Sequence, residues 1–91
     1  MHKEFIAIDL FSGCGGLTCG LRKAGFKVIG AVELNERASV TYKANHHEVD
    51  LSQIDIRKLN PKSYRRKLGL NKGELDLLAG CPPCQGFSTL R

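Results

Sequence analysis

The 91-residue sequence has no apolar run long enough to cross a bilayer. Its apolar stretches Phe5–Leu10 and Leu75–Gly80 are strand-length, far short of the roughly 18 residues a spanning helix needs, and nothing resembles a signal peptide. Long Pro, Ser or charge runs, internal repeats and low-complexity tracts are also missing, so the chain reads as neither a linker nor a repeat array. Cysteine is sparse for a secreted scaffold. Cys14, Cys19, Cys81 and Cys84 could pair as two disulfides, but without a leader reduced thiols are expected. These absences lead to the expectation of a soluble intracellular protein, not secreted and without a membrane partner, cytoplasmic (nucleoid) in a bacterium or nuclear in a eukaryote.

What is present describes one small globular unit, or a piece of one. Hydrophobic residues make up 42% of the chain, and a domain of this size hides only about two-thirds of its unfolded surface. Lys and Arg outnumber Asp and Glu by 14 to 9, a formal charge of +5. Such an excess favours approach to polyanions, and a solvated basic surface is an equally good account of it. The densest basic cluster, Lys62, Arg65, Arg66 and Lys67, sits in one helix-like stretch.

Along the chain the apolar period switches between strand and helix, the pattern of an α/β protein with a parallel sheet. Residues Phe5–Leu10 lack polar alternation, as a strand buried on both faces does, and the strand ends near Asp9. After a glycine turn, Leu17, Leu21 and Ala24 share a helical face, predicting a helix over Gly16–Ala24 with Gly25 as its C-terminal cap. A second strand is predicted over Lys27–Glu33 and a second helix over residues 36–45. Between Glu48 and Leu59 the signal is weak: a short third strand and a turn, with Asp55 and Ile56 near its exit. Pro61 starts a brief helix through Leu68, Leu75–Gly80 is the fourth strand, and residues 81–88 are too rich in Pro and Gly to be regular.

Three places along this chain carry candidate chemistry. The glycine turn Asp9-Leu-Phe-Ser-Gly-Cys-Gly-Gly-Leu17 links strand to helix and lets the backbone approach a ligand. Thr18 stands where the dinucleotide fingerprint asks for its third glycine, and there is no Gly-x-x-x-x-Gly-Lys-Ser/Thr. A nucleoside without a pyrophosphate therefore fits better than a dinucleotide or a triphosphate, and a purely structural turn stays open. Glu33, at the end of the second strand, has the position and charge to accept two hydrogen bonds from a ribose diol, or is a surface glutamate. Asp55 could accept from an adenine amino group, or simply cap a turn.

The third place is Cys84, in Pro82-Pro-Cys-Gln-Gly-Phe-Ser88 directly after the fourth strand. A thiolate is the most capable side-chain nucleophile, and the prolines stiffen the loop presenting it; a small buried hydrophobe is the bland alternative. In a doubly wound sheet of order 3-2-1-4, the glycine turn and the Cys84 loop leave neighbouring strands at the carboxyl edge, where ligands bind. Motifs about seventy residues apart would then meet at one cleft.

Taken together the motifs resemble those of the DNA (cytosine-5) methyltransferases. The glycine turn is similar to that family's first motif, Val32-Glu-Leu-Asn35 to the second, Asp55-Ile56 to the third, and Gly80-Cys-Pro-Pro-Cys-Gln-Gly-Phe-Ser88 to the Pro-Cys-Gln motif holding the nucleophile. The resemblance implies a Rossmann-like parallel sheet with flanking helices, incomplete at its first four strands, with residues 1–91 as the N-terminal part of an S-adenosylmethionine-dependent catalytic domain. It implies that Phe11 stacks on the adenine of S-adenosylmethionine, with Gly13, Cys14 and Gly16 against its amino-acid end. Glu33 would hold the ribose, Leu34 cover the adenine, Asp55 and Ile56 bind its edge, and Pro83 shape the loop from which Cys84 attacks. No metal is implied. The implied substrate is double-stranded DNA with a flipped cytosine, and a restriction–modification setting is in keeping.

The family's Glu-Asn-Val motif, Arg-x-Arg segment, target-recognition region and last motif have no counterpart before Arg91. The expectation is a fragment or one subunit of a split enzyme, unable to methylate DNA by itself and calling for a complementing C-terminal chain. Two alternatives stay open: a non-catalytic remnant or partner-binding chain, and a redox or zinc module built on Cys81 and Cys84.

Overall fold

The computed structural model describes residues 4–80, so Cys81, Pro83 and Cys84 lie outside the described residues. Four parallel strands, β1 (Phe5–Asp9), β2 (Phe26–Val32), β3 (Asp50–Ser52) and β4 (Leu77–Ala79), form a sheet in the order β3-β2-β1-β4. This is the order expected from the α/β pattern. Helix α1 (Gly16–Lys23) joins β1 to β2 and α2 (Glu36–Asn45) joins β2 to β3. A 3-10 turn over Ile56–Lys58 and helix α3 (Pro61–Lys67) then carry the chain across the sheet to β4.

Each boundary has a local cause. Helix α1 ends at Lys23 with Ala24 as its C-cap, followed by Gly25 at φ +98°, a left-handed position that glycine takes without steric cost. Helix α2 starts where the Asn35 side chain accepts the Ala38 amide at 2.9 Å, and α3 where Asn60 accepts the Ser63 amide ahead of Pro61. Strand β4 is shorter than its apolar run: Asp76 is tied to Ile6, its amide donating to the Ile6 carbonyl and its carboxylate accepting the Ile6 amide. Regular pairing begins only at Leu77 opposite Ala7.

The crossovers split the core in two. Advancing from β1 to β2 to β3 with crossovers of one hand places α1 and α2 on one face, and the return to β4 places α3 on the other. Ala7, Val28, Ala31, Tyr42 and Val49 pack on the first face, and Ile8, Val32 and Tyr64 on the second. Val28 and Ala31 are three apart and would point oppositely in a regular strand. They share a face because the pairing steps from Ala7↔Val28 to Ile8↔Gly30, leaving Ile29 over as a bulge. Among the described residues no helix is long and apolar enough to cross a membrane.

The bulge turns Gly30 toward α3. A Cβ there would stand 2.5 Å from Tyr64 Oη and 2.8 Å from Leu68 Cδ1, so Gly30→Ala forces the Tyr64 and Leu68 side chains to repack. The expected cost is about 1–3 kcal/mol of stability, measured as a lower urea midpoint; an unchanged midpoint would show that the two side chains yield without cost.

Candidate functional site

The carboxyl ends of β1, β2 and β3 open into one groove of about 370 Å³, within the range of roughly 300–1,000 Å³ typical of small-molecule sites. Its walls come from the three strand exits: Leu10, Phe11 and Gly13 after β1; Val32, Glu33 and Leu34 from β2 onward; and Ile54, Asp55 and Ile56 beyond β3. Phe11, Gly13, Glu33, Leu34, Asp55 and Ile56 are therefore brought together here. Leu34 is exposed despite its size (58%). The lining combines apolar surface with two carboxylates, suited to a flat heterocycle bearing hydroxyl and amino groups.

Glu33 is held in advance. Its Oε1 accepts the Gly13 amide at 2.8 Å and its Oε2 the Asn35 amide at 2.9 Å. A carboxylate offers about four acceptor positions, so each oxygen keeps one for a ligand hydroxyl. Nothing stands within 4 Å of where a Gly13 Cβ would be, and the left-handed φ of +53° suits glycine. Asn35, absent from the expected site, both donates to Glu33 and caps α2. Its signal was legible as an Asn directly before a helical segment.

Beneath the turn lies a buried polar network that sequence reasoning missed. Asp9 is fully buried at the end of β1, and its Oδ2 accepts the Thr18 hydroxyl at 2.8 Å. Because Thr18 spends its proton on Asp9, the Tyr42 hydroxyl 2.8 Å away must donate to Thr18. Thr18 thus fills the place of the third glycine with a hydroxyl linking β1, α1 and α2. Burial, and less strongly the charge of Glu33, raises the Asp9 pKa above its ordinary 3.8, while the Thr18 hydroxyl and the Phe11 and Thr18 amides oppose this. Desolvation likewise pushes Tyr42 up to about 12. Asp9 Oδ1 and Ser12 Oγ have no hydrogen-bond partner among the described residues.

The same network braces the turn from behind. A Cβ at Gly15 (φ +104°) would lie 2.7 Å from His46 Cδ2 and 3.2 Å from Tyr42 Cδ2. His46 is buried, packs against Tyr42 with the rings tilted at 47° and their centroids 4.9 Å apart, and accepts from Arg22 Nη1 at 3.0 Å through Nδ1, since arginine only donates. Arg22 in turn pairs with Glu48.

Asp55 sits differently from Glu33. It caps the 3-10 turn through the Arg57 amide (2.9 Å), and both its oxygens also receive the Arg57 guanidinium, at 2.6–3.2 Å. This fork holds the carboxyl at about 2, so the capping role is present alongside the groove position. Cys14 is exposed and Gly16 opens α1, and neither lines the groove. The chain leaves β4 beside it: Ala79 pairs with Asp9, and a Cβ at Gly80 would come 3.0 Å from Phe11 Cδ2. Pro83 and Cys84 follow outside the described residues. Among the described residues no group of three or more His, Cys, Asp or Glu is arranged for a metal.

A family model described as C-5 cytosine-specific DNA methylase matches residues 5–91. The chain is 46% identical over 82 residues to the Type II methyltransferase M.AgeI of Thalassovita gelatinovora, covering 90% of this chain and 19% of that protein. It is 42% identical over 81 residues to the Type II methyltransferase M.NgoPII of Neisseria gonorrhoeae, covering 89% and 22%. In structure it resembles a prophage-encoded DNA modification methyltransferase of E. coli at TM-score 0.82 and 39% identity, covering 92% of this chain and 24% of that one. Against Spodoptera frugiperda DNMT2 the TM-score is 0.73 at 30% identity, covering 90% and 24%. The chain thus spans about a fifth to a quarter of these relatives' lengths.

The buried Asp9 makes a signed prediction. A carboxyl whose folded pKa is raised contributes stability below its unfolded pKa of 3.8 that is lost as pH rises through the folded value. Asp9→Asn removes that dependence, so urea midpoints of wild type and variant should diverge in the variant's favour from pH 4 to pH 7. Parallel pH profiles would mean that burial does not penalise the Asp9 charge.

Proposed function

The chain belongs to the C-5 cytosine-specific DNA methylase family, and from that premise we propose that it supplies the S-adenosylmethionine site and the nucleophile, Cys84, of a DNA (cytosine-5) methyltransferase. The observation that carries this reading is the convergence of Phe11, Gly13, Glu33, Leu34, Asp55 and Ile56 on one groove. Phe11 and Leu34 offer apolar surface to an adenine, and the two free acceptor positions of Glu33 match a ribose diol. Asp55 and Ile56 take the adenine edge, Asp55 accepting an amino proton while Arg57 keeps it ionised. Gly13, Cys14 and Gly16 face the amino-acid end. Gly15 provides no side-chain cap and the first turn of α1 has no acid, so the positive end of that helix is left for a carboxylate.

S-adenosylmethionine supplies an electrophilic methyl group. The chain's own part begins with Cys84: its thiolate adds to carbon 6 of cytosine, forming a C–S bond and giving carbon 5 the electron density it lacks in the free base. After methylation at carbon 5, loss of the carbon 5 proton expels the thiolate and restores the ring. Neither carbon is reachable in a stacked duplex, so the target cytosine is flipped out. Pro83 stiffens the backbone ahead of the thiol. The names of the Type II relatives favour a restriction–modification setting, and methyl transfer calls for residues beyond those present here, supplied by a C-terminal remainder in the same or a second chain.

Two measurements test this. Titration calorimetry with S-adenosylmethionine should show binding that Glu33→Gln weakens by roughly ten- to a hundredfold, as expected for a lost hydrogen bond to a charged group. Mixed with a C-terminal family fragment and a cytosine duplex, the chain should transfer tritiated methyl groups, and Cys84→Ser should abolish transfer while leaving cofactor affinity unchanged. Transfer persisting in Cys84→Ser would refute the nucleophile, and turnover by the unaided chain would refute the need for a complement.

A further inference from the structure

Residues 56–73 contain seven cations, Arg57, Lys58, Lys62, Arg65, Arg66, Lys67 and Lys72, and no acid. Of these, Arg57 pairs with Asp55 and Lys67 with Asp50. The acids on either side are engaged as well: Glu74 accepts the Asn71 amide and Asp76 the Ile6 amide. Lys58, Lys62, Arg65, Arg66 and Lys72 are all exposed and have no ion pair among the described residues.

Three of the five lie together on α3. Lys62, Arg65 and Arg66 are spaced i, i+3, i+4, so they share one face, while Tyr64 and Leu68 turn inward to the core. Helix stability does not explain that face. Like charges at this spacing repel, and Lys62 stands in the first helical turn, where the dipole disfavours a cation. Arg65 and Arg66 in the last turn suit the dipole, but Lys58 and Lys72 lie outside the helix altogether. Lys58 closes the 3-10 turn whose first residue, Ile56, lines the groove.

We propose that the outer face of α3, with Lys58 and Lys72 at its ends, is a binding surface for the phosphate backbone of nucleic acid, separate from the cofactor groove and indifferent to sequence. Unopposed cations on a rigid helix release condensed counterions when they meet phosphates, and the guanidinium forks of Arg65 and Arg66 match phosphate oxygens in geometry. The choice of nucleic acid over an acidic protein rests on the methyltransferase reading. The contact itself needs neither cofactor nor cytosine.

The test uses the 91-residue chain, without cofactor, and a labelled duplex of only adenine and thymine, so its failure leaves the methyl-transfer reading untouched. Affinity is read by fluorescence anisotropy across a salt series. The triple variant Lys62→Gln, Arg65→Gln, Arg66→Gln should reduce the slope of log K against log salt by about 0.9 per lost contact, roughly 2.7 in all. The charge-matched triple Lys23→Gln, Lys27→Gln, Lys43→Gln should change it by less than about 1. Arg65→Lys with Arg66→Lys should keep most of the slope, and circular dichroism reports folding of each variant. Equal losses in the two triples, wild-type binding by the α3 triple, no duplex binding by the wild type, or preference for polyglutamate over duplex would each overturn the proposal.

Discussion

One carboxylate joins the two halves of the groove. Glu33 takes the Gly13 amide from the turn after β1 and the Asn35 amide from the start of α2, so the exits of two neighbouring strands cannot move apart without leaving charged oxygens short of donors. A charge-assisted bond of this kind is worth more than a neutral one and is costly to leave broken. With Glu33 in place, Phe11 and Leu34 are carried to the same opening, and the helix following Glu33 is capped within two residues of it.

Below that clamp the structure accepts an energetic penalty to hold the turn rigid. Burial opposes the charge of Asp9, and a single threonine hydroxyl connects it to Tyr42. His46 closes the arrangement by filling the space that a side chain at Gly15 would need. A polar network of this sort stabilises less than an apolar core would, but it specifies one arrangement of β1, α1 and α2. The turn can therefore meet a ligand already shaped, with little left to order on binding.

The two faces of the sheet divide the work. The face carrying α1 and α2 supports the glycine turn through Tyr42 and His46, while the face carrying α3 packs Tyr64 against the glycine of the β2 bulge. Because α3 covers the second face with only Tyr64 and Leu68 turned inward, its remaining positions are free to carry charge. The network that braces the glycine turn and the basic helix α3 thus sit on opposite layers of one small sheet.

Periodicity alone determined the element order and the parallel α/β class, because buried strands and amphipathic helices leave different spacings in the residues themselves. The placement of Phe11, Glu33 and Asp55 at strand exits was legible for the same reason. Tertiary structure decided what depends on partners far apart in the chain. Nothing near Thr18 announces that its hydroxyl faces Asp9 and Tyr42, that Arg57 would occupy Asp55, or that Gly30 lies under Tyr64. Sequence patterns record which face a residue turns to the core; only the folded chain sets which polar atoms meet there, since burial makes those pairings obligatory.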